Sequence, residues 1–84
     1  MSFADDVRDH CERIYITPAR RRRDQVMSIR AGDVHRDMGY RNRYPLVCSA
    51  IGAKVFEERC RIERVAVEGP LNGANTMFRF RLNP

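Results

Sequence analysis

RAGDVHRDMGYRNRYPLVCSAIGAKVF, residues 30–56, is the stretch on which the reading of this chain turns. Val34 and Met38 stand one helical turn apart, so both face the same core. Gly39 follows, where a helix end favours a residue at ease with positive φ. Arg41, Asn42, Arg43 and Tyr44 make a polar turn, and Pro45 suits the first turn of a second helix, where a missing amide proton costs nothing. Val47 and Ile51 repeat the i, i+4 pairing. The stretch therefore predicts helix, tight turn, helix. The second helix covers residues 45–51, Gly52 ends or breaks it, and residues 53–59 form a further short turn anchored by Val55 and Phe56. With Val47 and Ile51 inward, Cys48 and Ala50 flank the buried stripe, and Ser49 and Ala53 lie away from it. Arg43 and Tyr44 then stand at an exposed helix start, which suits entry into a groove of nucleic acid.

Working outward, 84 residues allow one small domain with a single modest core and no separate catalytic domain. Met1 and the length predict a whole small protein. No apolar run approaches a membrane span, and the acidic start MSFADD is unlike a signal peptide, so a cytoplasmic location with no membrane partner is expected. Cys11, Cys48 and Cys60 form no Cys-x-x-Cys pair, which predicts buried reduced thiols, with no metal site and no cofactor. Net charge is +5, and its distribution is uneven: residues 18–43 hold eight arginines against three aspartates. Such a surplus around the paired helices points to a polyanion.

Before that stretch, Phe3, Val7, Cys11 and Ile14 predict an amphipathic helix over residues 3–16, with Ser2 and Asp5 as a capping box and Pro18 ending it. Arg20, Arg21, Arg22 and Arg23 read either as a solvated loop or as a sequence-insensitive phosphate contact. Residues 26–30 form a short strand, unless Ser28 caps the next helix instead. Asp33 and Asp37 read as solvated or arginine-paired, and His35 as packed or hydrogen-bonded. No nucleophile or phosphate-binding glycine loop accompanies these three residues, so no enzyme activity is expected.

After it, Asn72-Gly73 predicts a two-residue hairpin turn. Folding symmetrically about it sets Val67 opposite Phe78 and Val65 opposite Phe80 on a face that packs on the helices. The same register sets Arg64 opposite Arg81 on the other face, an unfavourable like-charge pair needing compensation. Residues 68–75 would form a projecting loop.

Helix, strand, helix, turn, helix, then hairpin is the element order of winged helix-turn-helix DNA-binding domains. The chain resembles that family through Val34, Met38, Gly39, Tyr40, Val47, Ile51, Phe78 and Phe80, and it looks like small stand-alone prokaryotic domains of that kind. Two features depart from the pattern: His35 stands where a small residue is usual, and the turn of residues 40–44 is slightly long. The resemblance implies an α+β winged helix, with a three-helix core and a C-terminal hairpin wing. It also implies double-stranded DNA as partner. Arg41, Asn42, Arg43, Tyr44 and Ser49 would read bases or nearby phosphates. Lys54, Arg79, Arg81 and part of the run Arg20 to Arg23 would hold the backbone, and Asn72 and Asn75 would sit in the wing. Asn72 reads equally as a turn residue, and Arg79 and Arg81 as a solvated sheet face. A homodimer is expected for tight binding, since one such module makes an interface on the order of 600–1,000 Å². The competing expectation is a winged-helix docking module for a protein partner, lined by Leu46, Leu71 and Met77.

Overall fold

The computed structural model describes residues 2–82. Ser2 caps the first helix, α1 (Phe3–Cys11), its side chain accepting from the Asp5 amide at 3.1 Å. Pro18 does not end the helical run as expected. A π-helical turn (Glu12–Ile16) follows α1, and a short helix, α2 (Thr17–Arg21), continues from it. The Thr17 amide reaches back five residues to the Glu12 carbonyl, and the wider turn makes room for a proline ring that would crowd an α-helical carbonyl. The same turn shifts the helix phase, so Ile16 is buried and Ile14, expected inward, is exposed.

Strand β1 (Val26–Arg30) runs directly into α3 (Ala31–Asp37), so Ser28 is a strand residue and not a cap. Gly39, at φ +68°, turns the chain after α3. Helix α4 (Tyr44–Gly52) begins with Pro45 in its first turn, and α5 (Lys54–Cys60) follows after Ala53. Strands β2 (Glu63–Glu68) and β3 (Met77–Arg81) close an antiparallel sheet of order β1-β3-β2. The fold is α+β, with its helices on one face of the sheet. Phe78, Phe80 and Ile29 meet Val7, Val34, Val47, Ile51 and Phe56 in one buried cluster. Phe56 and Phe80 pack edge to face, 5.6 Å between centroids.

The hairpin register is half as expected. Val67 pairs with Phe78 and Ala66 with Arg79, but a bulge between Arg64 and Ala66 slips the rest, so Arg64 pairs with Phe80 and Glu63 with Arg81. The anticipated Arg64–Arg81 pair does not form, and Glu63 holds Arg81 at 3.4 Å. Helix contacts hold the bulge. The Arg64 amide donates to Glu57 Oε1 at 3.0 Å and its guanidinium donates to the Gly52 carbonyl at 2.9 Å. Val65 and Val67, expected on the buried face, are instead exposed. Nor is the connection a two-residue turn. Residues 69–76 form a longer loop, with Asn72 left-handed at φ 57° and Gly69 at φ +81°. The loop folds back onto α3: the Ala31 amide donates to the Thr76 carbonyl and the Gly32 amide to the Ala74 carbonyl.

At the far end of α3, Tyr15 Oη donates to Asp37 Oδ2 at 2.5 Å and His10 Nε2 lies 3.2 Å from the same oxygen. Burial opposes ionisation of Asp37, but the Tyr15 and His10 hydrogen bonds outweigh it and hold the carboxyl below its usual value. The contribution to stability is therefore complete above the unfolded value of about 3.9 and lost as pH falls through the lower folded one. Tyr15→Phe should cost about 1–2 kcal/mol at neutral pH and make denaturant midpoints less sensitive to pH below 4; unchanged acid sensitivity would count against this anchor. The glycines give a second check. A Cβ at Gly39 meets nothing within 4 Å, whereas one at Gly69 stands 2.6 Å from the Asn75 carbonyl oxygen. Gly39→Ala should cost about 1–2 kcal/mol from backbone strain alone, and Gly69→Ala clearly more, by urea unfolding.

Candidate nucleic-acid interface

Aromatic rings pack against the turn between α3 and α4. His35 is buried and stacks on Tyr44, 4.0 Å between centroids at 22°. Its Nε2 accepts from the amide of Arg43, the residue before α4, at 3.1 Å. An imidazole accepting at Nε2 is the neutral form with its proton on Nδ1, so His35 satisfies the backbone donor at the entry to α4, where the Arg43 side chain makes no cap. Tyr40 packs edge-on to His35 and lies 4.7 Å from Phe3, and the Arg43 guanidinium sits 6.0 Å over the Phe3 ring. Asn42 is left-handed at φ 52°, so it has a backbone role besides any contact it makes. Arg41, Asn42 and Arg43 are exposed, and no acidic residue occurs from Met38 to Phe56. Among the described residues neither Arg41, Arg43 nor Lys54 has an ion-pair partner. Tyr44 differs from its expected exposed position: half-buried, it is largely used in the stack on His35.

Helix α4 presents Pro45, Leu46 and Ser49 to solvent and contains no charged residue. A groove of about 390 Å³ runs between it and the hairpin, floored by Phe78 and walled by Ser49, Ala53, Val67 and Leu71. Arg64 lies at this groove, its guanidinium engaged with the Gly52 carbonyl. The sequence did not show this groove, whose walls are brought together from α4, β2 and the loop between the strands.

The remaining expected contacts do not gather on this surface. Arg79 and Arg81 lie on the sheet face turned away from Phe78 and Phe80, hence away from α4. Arg20 donates to the Arg61 and Leu82 carbonyls at 2.8 and 3.2 Å, which fastens the end of α5 to the end of β3. Arg22 pairs with Asp24, leaving Arg21 and Arg23 exposed. That run adjoins the Val26–Arg81 end of the sheet, and the hairpin loop adjoins the Arg30–Met77 end. Asn75 is engaged too: its side-chain oxygen accepts from Arg30 at 2.7 Å, and Arg30 also grips Asp33. Asn72 remains exposed in the loop.

All three cysteines are free and buried, and burial, ahead of neighbouring charges, pushes the Cys11 and Cys60 thiols up to about 12. They stay protonated at neutral pH and are poor nucleophiles. Among the described residues no group of three or more His, Cys, Asp or Glu side chains could hold a metal ion, and no helix is long and apolar enough to cross a membrane.

His35→Phe keeps a stacked ring but strands the Arg43 amide. The expected cost is about 1–2 kcal/mol, with faster amide exchange at residues 41–44 than elsewhere in α4. Exchange raised equally throughout the chain would contradict a local capping role.

No protein-family model, curated protein or solved structure matches the chain.

Proposed function

We propose that this chain binds duplex DNA as a winged helix-turn-helix module, placing the start of α4 in the major groove. It would act as a small transcriptional regulator or DNA-targeting module in the cytoplasm. The observation that carries this reading is the α3–α4 turn. Arg41, Asn42 and Arg43 are exposed there, neither arginine has an ion-pair partner among the described residues, Arg43 lies over the Phe3 ring, and the helix that follows carries no acid. The sheet order β1-β3-β2 and the hairpin beside α4 support the family resemblance. Arg41 and Arg43 suit bidentate contact with phosphate or guanine, Lys54 suits a phosphate beyond the other end of α4, and the loop around Asn72 serves as wing. Arg21 and Arg79 lie outside this surface.

A second reading, a docking module for another protein, draws on Leu46 and Leu71, which are 48% and 79% exposed beside the groove. Retention on duplex DNA at low salt separates the two, since docking on a protein requires none.

Phosphate contact makes affinity fall with salt by roughly 0.9 in log–log slope per contact. Lys54→Ala should reduce that slope by about one contact for every duplex alike. Arg43→Ala should cost about 1–3 kcal/mol on a preferred site selected from random duplexes and much less on a scrambled one, while Arg21→Ala changes neither. A salt-independent isotherm, or equal losses from Arg43→Ala on both duplexes, would refute this assignment.

A further inference from the structure

Helix α4 is an unusual surface to put into a major groove. Over Tyr44–Gly52 it carries no charge and no amide side chain, and Ser49 is its one exposed hydrogen-bonding side chain. What it offers outward is largely hydrocarbon, Leu46 and Pro45, and the groove beside it adds Ala53, Val67 and Leu71 together with the polar Ser49, Asn72 and Thr76. A base edge of hydrogen-bond donors and acceptors would be desolvated against Leu46 and Pro45 without return, which is unfavourable. A pyrimidine C5-methyl is the apolar feature of the major groove, and apolar side chains are its natural contacts. The borders of the face match the surroundings of such a methyl. Arg41 and Arg43 stand at one end, Lys54 at the other and Arg64 at the groove, and no acid lines the groove or occurs from residue 38 to 56. An apolar strip edged by cations fits duplex DNA better than an apolar protein surface, because cations on an uncharged partner would lose water for nothing.

We infer that α4 recognises methyl-bearing pyrimidines in duplex DNA, thymine or 5-methylcytosine, with Leu46 as the principal contact. This inference rests on the DNA-binding reading and adds to it the chemical class of the site recognised. The loss of one buried methyl group is worth about fourfold in affinity.

The test compares an alternating dA·dT duplex of twenty base pairs with the same duplex built from deoxyuridine, which removes the methyls and leaves charge and pairing edges in place. A second pair of duplexes, alternating dC·dG with and without 5-methylation of cytosine, distinguishes the two methyl sources. Binding is followed by fluorescence anisotropy at two salt concentrations. The deoxyuridine duplex should bind at least about fourfold more weakly, with an unchanged salt slope. Preference for the methylated dC·dG duplex would extend the inference to 5-methylcytosine, and its absence would confine it to thymine. Leu46→Asn, at an exposed position outside the core, should abolish the thymine–uracil difference while keeping salt-dependent binding; Arg21→Ala should leave both intact. Salt-dependent binding blind to both methyl substitutions, or a difference that survives Leu46→Asn, overturns the inference and leaves DNA binding standing. Absence of salt-dependent binding to all four duplexes overturns the DNA reading itself.

Discussion

The last strand of the chain is the middle strand of its sheet, and most of the molecule depends on that placement. β3 pairs on one side with β1 and on the other with β2. Phe78 and Phe80 therefore occupy the centre of the sheet layer that the buried helix residues pack against. β1 enters the fold some fifty positions before its partner, so the sheet cannot close until nearly the whole chain is in place, and that separation carries a loop-closure cost. The return is that the sheet fixes both ends of the paired helices. β1 leads straight into α3, while the loop leading into β3 binds the first amides of α3.

A single extra residue then resets the pairing of the first half of β2. With Arg64 in regular register, Val65 would stand opposite Phe80 and share its buried face. Glu57 and the Gly52 carbonyl instead claim the amide and guanidinium of Arg64. Val67 and Leu71 line an open channel beside α4. The same bulge sets Glu63 across from Arg81 and, together with Glu68, Gly69 and Pro70, makes the β2 edge a poor template for another strand.

What could be read from the sequence follows the range of the forces involved. The end of α3 at Met38 and Gly39, the start of α4 at Pro45 and the inward pair Val47 and Ile51 are set within one or two turns of chain, so spacing and local chemistry identify them. The β1 strand was legible for the same reason; the Val67–Phe78 pairing was anticipated, but from a two-residue turn whose place a longer loop takes. The length of the first helical run was not, because a π turn absorbs Pro18 only when Ile16 has a core to enter. The roles of His35, Arg20 and Asn75 depend on partners 8, 41 and 62, and 45 residues away, and composition says nothing of such distances. Of the expected contact residues, Arg41, Asn42, Arg43, Ser49 and Lys54 are exposed on or next to α4. Tyr44 and Asn75 are already occupied, and Arg79 and Arg81 face the other way. Charge counting alone cannot make that division, because it gives a residue's sign and not its face.

The division also bears on how affinity and selectivity would be shared. On the proposed reading the cations supply attraction that salt weakens, Lys54 through phosphate alone and Arg41 and Arg43 through phosphate or guanine. An uncharged helix face supplies the opposite: short-range contacts, insensitive to salt, each worth little more than a buried methyl. A module built this way discriminates weakly per base pair, and high selectivity would need a second module on the same duplex. The net charge of +5 works against two copies meeting in free solution and is offset on a phosphate backbone. On the proposed reading, the polyanion is then both the ligand of each copy and the condition under which two copies can stand side by side.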